Sequence, residues 1–198
     1  MRAKEPSARD SSPTSPGGER PLLMVDIDGV ISLFGFPPYA LAGPRSARGT
    51  AALGLDGALN GALHTIDGIP HFLSRAAATH LLILAEDFDL VWCSGWEEKA
   101  EEYLPHLLDL PAGLPFLRFE RSQGAGRSIN GHWKLDAIDS YAGTRALAWI
   151  DDAFNSACHA WAEERPGPTL LVETDPAVGL SSTEAELLAE WAQTLLVT

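Results

Sequence analysis

Short apolar segments that alternate with helix-like segments constrain the fold of this chain more than any other feature of its sequence. Five segments are typical of buried strands, because each is short and apolar and runs into polar residues: "LLMVDI", "DLVWCS", "LPFLRF", "RALAWI" and "PTLLVE". Between them lie segments with helical periodicity or helix-like charge. Strands separated by helices predict an α/β fold, in which a parallel sheet carries helices on both of its faces.

Four segments are predicted to be helical: residues 70–88, 96–106 and 132–142, and a C-terminal segment that begins at Ser181. Ser74 can cap the first of these helices with its hydroxyl group. Ser181 and Glu184 have the spacing of a capping box at the start of the last helix. We expect this last helix to bury three large side chains on one face: Leu187, Trp191 and Leu195.

Acidic and small polar residues follow three of the predicted strands. They form three groups in the sequence: Asp26 and Asp28, Ser94 and Gly95, Asp151 and Asp152. Because the carboxyl ends of parallel strands meet at one edge of a sheet, where ligands bind, we expect these residues to lie close together. Lys134, at the start of a predicted helix, could lie at the same edge.

Several carboxylates at one edge of a sheet repel one another. Two charges about 4 Å apart repel by roughly 4 kcal/mol at an effective dielectric constant of about 20. A divalent cation and a lysine would relieve this repulsion. Carboxylate oxygens without a histidine or cysteine cluster favour Mg²⁺ over zinc. We therefore predict a Mg²⁺ site formed by carboxylates at the strand ends: Asp26, Asp28, Asp151 and Asp152.

These residue types suit phosphoryl transfer. Asp26 would attack phosphorus and form an aspartyl-phosphate intermediate, while Asp28 would protonate the leaving oxygen and later deprotonate water. Ser94 and the backbone N–H groups around Gly95 would hold phosphate oxygens, and Lys134 would neutralise the phosphate and the nucleophile. Simpler interpretations remain open: the aspartates as turn or capping residues, Ser94 as a helix cap, and Lys134 as a solvated side chain.

Four motifs in order, "DIDGV", "WCSGW", "HWK" and "WIDD", resemble those of the haloacid dehalogenase-like (HAD) hydrolase superfamily. The resemblance covers roughly residues 21–198. It implies a Rossmann-like core and a magnesium-dependent aspartyl nucleophile, which would be Asp26. Phosphatases of the superfamily carry an acid/base aspartate two positions after the nucleophile, and Asp28 matches that position. The resemblance therefore implies a phosphatase that acts on a phosphomonoester.

The spacing between the motifs leaves no room for a large cap domain. Residues 33–70 are rich in Gly, Pro and Ala and are predicted to form a small flap or irregular insertion. Superfamily members with a minimal cap often act on large substrates, and "WCSGW" also resembles the HAD domains of polynucleotide-end phosphatases and RNA-repair proteins. The expected partner is a phosphorylated small molecule or macromolecular end. A non-catalytic domain that binds a phosphorylated ligand is the remaining alternative.

Charge and composition narrow the expected partners and location. The formal net charge of −13 disfavours nucleic acid as a partner, although a local basic channel is compatible with it. The apolar runs are too short to span a bilayer, so no membrane partner is expected. Residues 1–20 are rich in Ser, Pro and charge and are predicted to be a disordered tail without a signal peptide. With only 2 cysteines, we expect a cytoplasmic protein rather than a disulfide scaffold.

Overall fold

The computed structural model describes residues 20–35, 60–119 and 131–196, which form strands and helices in alternation. The strands are β1 (Leu22–Val25), β2 (Ser32–Leu33), β3 (Gly61–Ile66), β4 (Ile69–Ser74), β5 (Asp89–Trp92), β6 (Leu147–Asp151) and β7 (Thr169–Glu173). The helices are α1 (Arg75–Leu84), α2 (Glu98–Leu108), α3 (Leu135–Ala142), α4 (Ser156–Glu164) and α5 (Ser182–Leu195).

Four parallel strands form the main sheet in the order β5-β1-β6-β7. From the inner strand β1 the chain passes to β5 on one side and then returns to β6 on the other. Such a reversal is a topological switch point, and parallel α/β sheets bind ligands beyond the carboxyl ends of the strands that flank it. The predicted parallel sheet is confirmed, and its order is compatible with a Rossmann-like fold.

Two apolar layers cover the two faces of this sheet. Leu23 and Val25 of β1 point into a layer to which α1, α2 and α5 contribute. Leu22 and Met24 point into the opposite layer, which contains residues of α3 and α4. Burial of one large apolar side chain contributes about 1.5–3 kcal/mol, so the apolar sequence of β1 stabilises both layers. The prediction of helices on both faces is therefore confirmed.

The predicted helix over residues 70–88 is wrong in its first part. The backbone up to Ser74 belongs to β4, and α1 begins only at Arg75. Ser74 does cap this helix as predicted, because its hydroxyl accepts a hydrogen bond from the backbone N–H of Ala77 (3.1 Å). The same serine is thus both the last residue of a strand and the cap of a helix.

A β-hairpin, β3–β4, begins in the last part of the predicted flap over residues 33–70 and ends beyond it, at Ser74. Asp67 and Gly68 form its turn with φ angles of 51° and 81°, as two-residue hairpin turns require. β4 also pairs with β2, so the three strands form a second, antiparallel sheet. This end of the segment is regular rather than irregular, and residues 36–59 of the predicted flap lie outside the described residues.

The predicted strand over residues 114–119 is reduced to one short bridge to the sheet, between Phe116 and Trp92. The backbone N–H of Trp92 donates to Pro115 O (2.9 Å), and that of Leu117 donates to Trp92 O (2.8 Å).

Arg20 is the only described residue of the predicted N-terminal tail. Its guanidinium pairs with Asp89 at the start of β5 (2.6 Å).

The last helix, α5, begins as predicted but faces the core differently. Ser181 and Glu184 form the capping box. Leu188 and Ala192 are buried, whereas Leu187 is 45% exposed, so the prediction of a buried Leu187 is wrong.

In the described part of the chain, no helix has the length and apolar character needed to cross a bilayer.

Candidate functional site

Asp26 continues β1 into the switch point of the sheet. Its backbone N–H donates to Ile150 O on β6 (3.0 Å), and the N–H of Cys93 donates to Val25 O from the other side (2.8 Å). The hydrogen-bond ladders on both sides of β1 therefore extend to its carboxyl end. They bring the residues that follow β1, β5 and β6 to one edge, with the carboxyl group of Asp26 almost fully buried.

A buried lysine bridges two of the predicted aspartates. Lys134 precedes α3, and its Nζ lies 3.0 Å from Asp26 Oδ2 and 2.6 Å from Asp151 Oδ2. Only 2% of Lys134 is exposed. The indole N–H of Trp149 donates to the same Asp151 oxygen (3.1 Å), and the backbone N–H of Ala153 donates to the other (3.1 Å). The structure thus excludes the solvated interpretation of Lys134.

Burial dominates the electrostatics of this lysine–carboxylate cluster. It raises the pKa of Asp26 to about 6, since the attraction of Lys134 offsets only part of the lost hydration and Asp151 adds repulsion. Burial also raises the pKa of Asp151, despite the ion pair with Lys134. For Lys134, burial by itself lowers the pKa, but the negative charge of Asp26 and further partners outweigh it and the net shift is upward. The cluster therefore favours additional positive charge.

Asp152 adds a third carboxylate beside the ion pairs. Asp26, Asp151 and Asp152 each offer an oxygen, and these three oxygens lie within 4.8 Å of one another. Burial raises the pKa of Asp152, and the charge of Asp26 raises it further. A group of three carboxylates that contains no histidine or cysteine fits a hard divalent cation, although it does not select one such cation over another. Asp28 is not part of this group.

Gly29, the glycine of "DIDG", lies against Asp152. A Cβ at this position would lie 2.4 Å from Asp152 Cγ, and the φ angle of 78° is one that other residues rarely adopt. The hydroxyl of Thr174, just beyond β7, donates to Gly29 O (2.9 Å). A side chain at Gly29 would therefore displace a carboxylate of the candidate cation site.

Asp28 lies outside the group of three carboxylate oxygens and is partly exposed to solvent. Its side chain is 51% exposed, and its Oδ1 lies 3.9 Å from Nδ1 of His71 on β4. The indole N–H of Trp96 donates to Asp28 Oδ2 (3.0 Å). The two aspartates of "DIDG" thus have different environments, since Asp26 is buried in ion pairs and Asp28 is partly hydrated. This difference suits two different chemical roles.

Ser94 and Gly95 lie at the same edge of the sheet, beyond β5. Ser94 is buried, and its carbonyl accepts a hydrogen bond from the N–H of Glu97 (3.0 Å) in the turn before α2. Gly95 is exposed, and a Cβ there would meet only the ring of Trp133, at 3.8 Å. All seven site residues predicted from the sequence are therefore described, and they lie at or just beyond the ends of β1, β5 and β6 or precede α3.

Residues to which the sequence analysis gave no role in the site also contact it, among them His71, Trp96 and Trp149. His71 was missed because residues 70–88 were read as one helix. The "IDGI" turn is the signal that could have revealed the hairpin that carries it. Trp149 is fully buried in the core, and its indole N–H also donates a hydrogen bond to Asp151. The indole N–H of Trp96 donates to Asp28, and the indole ring packs against the core.

The fold and the site together define an α/β protein with a buried lysine–carboxylate cluster at the switch point of a parallel sheet. Comparison with protein-family models finds none that matches the chain, and comparison with curated proteins finds no match either. A functional assignment therefore depends on the geometry of this chain's own residues.

Proposed function

We propose that this chain is a Mg²⁺-dependent phosphatase of the HAD-like type, which hydrolyses a phosphomonoester through an aspartyl-phosphate intermediate. The observation that carries the proposal is the bridge from Lys134 to Asp26 (3.0 Å) and Asp151 (2.6 Å), with Asp152 beside it. This arrangement combines a candidate nucleophile, a fixed positive charge and a set of oxygen ligands at the edge where α/β sheets bind ligands.

The proposed reaction has two steps and uses both aspartates of "DIDG". A carboxylate oxygen of Asp26 forms a bond to phosphorus while the bond from phosphorus to the leaving oxygen breaks, and Asp28 gives its proton to that oxygen. Asp28 then takes a proton from water as the water oxygen attacks phosphorus. The bond between Asp26 and phosphorus breaks, which releases inorganic phosphate and restores both side chains. Proton transfer of this kind contributes typically ~10²–10⁴-fold to the rate.

The remaining residues would stabilise charge during both steps. Lys134 would neutralise the phosphoryl group and hold the nucleophile in place, because its ammonium group already contacts Asp26. The Ser94 hydroxyl and backbone N–H groups around Gly95 are the proposed partners of the other phosphate oxygens. The three carboxylates that meet within 4.8 Å would hold Mg²⁺, which when bound supplies charge stabilisation for the phosphoryl oxygens.

Replacement of the nucleophile tests the proposal directly. We expect Asp26→Asn to abolish phosphate release from 4-nitrophenyl phosphate in the presence of Mg²⁺, while circular dichroism shows an unchanged fold. Asp109→Asn is the matched control, because Asp109 is exposed at the end of α2 with φ of 55°, a conformation that asparagine also adopts readily. Full activity in Asp26→Asn would contradict the assignment of the nucleophile. Turnover that survives EDTA would contradict the proposed Mg²⁺ requirement of the carboxylate cluster.

The substrate class can be tested with a panel of phosphomonoesters. Small sugar phosphates and a 3′-phosphorylated oligonucleotide represent the small-molecule and macromolecular-end alternatives, and the proposed activity predicts Mg²⁺-dependent release of phosphate from at least one. Binding of these compounds without any turnover by the unaltered chain would contradict the proposed activity and favour a non-catalytic phosphate-binding domain.

A further inference from the structure

We infer that Trp96 and His71 are positioning residues, which hold the carboxylate of Asp28 in the orientation required for proton transfer. The inference rests on the proposed phosphatase activity and adds two residues to it. An aspartate side chain that is half exposed to solvent has several accessible rotamers. General acid–base catalysis needs the carboxyl oxygen within hydrogen-bonding distance of the proton it transfers, so a device that selects one rotamer raises the rate.

Trp96 supplies the direct contact. Its indole N–H donates to Asp28 Oδ2 at 3.0 Å, which leaves Oδ1 as the oxygen available for proton transfer. The indole ring packs against the apolar layer that contains Leu23 and Val25, so the position of its N–H group is set by the core. A donor fixed by packing restricts the carboxylate more than a donor on a mobile side chain, since less side-chain entropy is lost when the hydrogen bond forms.

His71 approaches Asp28 from the hairpin. Its ring meets Trp96 edge to face, with 4.8 Å between the ring centroids, and its Nδ1 lies 3.9 Å from Asp28 Oδ1. A hydrogen bond joins the buried Ser32 hydroxyl to the same Nδ1 (3.0 Å), which fixes the orientation of the imidazole ring. His71 therefore limits the movement of Asp28 beside Oδ1, the oxygen that Trp96 does not contact.

The hairpin that carries His71 is itself held against α2. At its tip, the carboxylate of Asp67 pairs with Lys99 and accepts a hydrogen bond from the hydroxyl of Tyr103 (3.0 Å). The segment after β5 supplies Trp96 and then α2, so one stretch of chain holds both the hairpin tip and the Asp28 carboxylate. The proposed positioning thus depends on contacts between two stretches of sequence, residues 66–74 and 96–103.

Leaving-group dependence separates positioning of an acid from a merely structural role. Phenolate is a poor leaving group that needs a proton, whereas 4-nitrophenolate leaves readily without one. We expect Trp96→Phe, which keeps an aromatic ring but removes the N–H, to lower kcat/KM for phenyl phosphate by about 10–100-fold. For 4-nitrophenyl phosphate the same variant should stay close to the unaltered chain. Asp28→Asn should show the same selective loss, in larger measure.

Trp191→Phe is the matched control, because Trp191 stacks on Phe88 in the core (6.2 Å between centroids) and should leave both substrates unaffected. His71→Phe provides a second variant in case Trp96→Phe does not fold, and it should show the same selectivity. Equal losses for both phosphates, or no loss for either, in a folded variant would overturn the positioning role while the phosphatase assignment stands. Failure of the unaltered chain to hydrolyse these two aryl phosphates and every compound of the substrate panel would overturn both proposals.

Discussion

Lowering the pH from about 8 to about 5 should weaken Mg²⁺ binding at least about tenfold, because a carboxylate must lose its proton to serve as a metal ligand. The reasoning starts from Asp26, whose burial raises its pKa to about 6 in the metal-free cluster. At about pH 8 almost all of this carboxyl is ionised, and at about pH 5 roughly one molecule in eleven is. The ratio corresponds to about 1.4 kcal/mol of binding free energy, to which the raised pKa values of Asp151 and Asp152 add.

Isothermal titration calorimetry of chelator-treated protein measures both quantities in this prediction. The affinity for Mg²⁺ is compared at the two pH values, and titrations in two buffers with different ionisation enthalpies give the number of protons released. That number should be close to zero at about pH 8 and rise toward about one at about pH 5 for Asp26 alone.

Two variants distinguish Asp26 from other acidic groups in the same measurement. Asp28→Asn should keep the pH dependence, because Asp28 lies outside the group of three oxygens. Asp26→Asn should weaken binding and reduce the dependence, since its amide carries no proton to displace. Equal Mg²⁺ affinity of the unaltered chain at both pH values would refute the reasoning. Loss of the pH dependence in Asp28→Asn would show that the dependence arises from Asp28 and not from Asp26.

Two substitutions test the cluster through protein stability. Lys134→Met should lower the free energy of unfolding by roughly 3–5 kcal/mol at about pH 8, measured by urea denaturation, because it leaves two buried carboxylates without their cation. The loss should shrink at about pH 5, because Lys134 lowers the pKa of Asp26 and its removal raises that pKa further above the ordinary 3.8. Protonation of the buried carboxyl on acidification therefore favours the folded state more in the variant than in the unaltered chain. A loss that grows on acidification would contradict this sign. Gly29→Ala should lower the melting temperature and weaken Mg²⁺ binding together, because its Cβ would meet Asp152 Cγ at 2.4 Å; unchanged binding would show that Asp152 is not a ligand.

The ligand-binding edge of the sheet and most residues of the candidate site were predictable, because the sequence pattern at the strand ends is easily recognised. "LLMV" and "LAWI" are apolar enough to be recognised as strands, and the polar residues after them necessarily meet where parallel strands end. The partly exposed position of Asp28, outside the group of three carboxylate oxygens, was not predictable from spacing. It depends on the turn from Ile27 to Ser32, in which three backbone N–H groups converge on Ile27 O and Gly29 takes a positive φ.

The β3–β4 hairpin and the buried face of α5 could not be predicted from the periodicity of apolar residues alone. Four buried residues have helical spacing: Leu73, Ala77, Leu81 and Leu84. Leu73 nevertheless belongs to β4. Because this strand leads directly into α1, the apolar spacing continues across the boundary between strand and helix. In α5, adjacent residues differ by about 100° around the helix axis. The choice between Leu187 and Leu188 therefore depends on how α5 docks against α1, which the helix sequence alone does not specify.

Ser74 joins β4 to α1 without an intervening linker, and this junction bears on how substrates reach the site. Its backbone N–H donates to Ile31 O (2.9 Å) while its hydroxyl caps α1, so a swing of the β3–β4 hairpin would break a strand contact and remove a helix cap. Loss of such a cap typically costs about 1 kcal/mol, and α1 is part of the core. We therefore expect the hairpin to move with the body of the protein, and small side-chain rearrangements around Asp28, rather than hinge motion at Ser74, to govern access beside the hairpin.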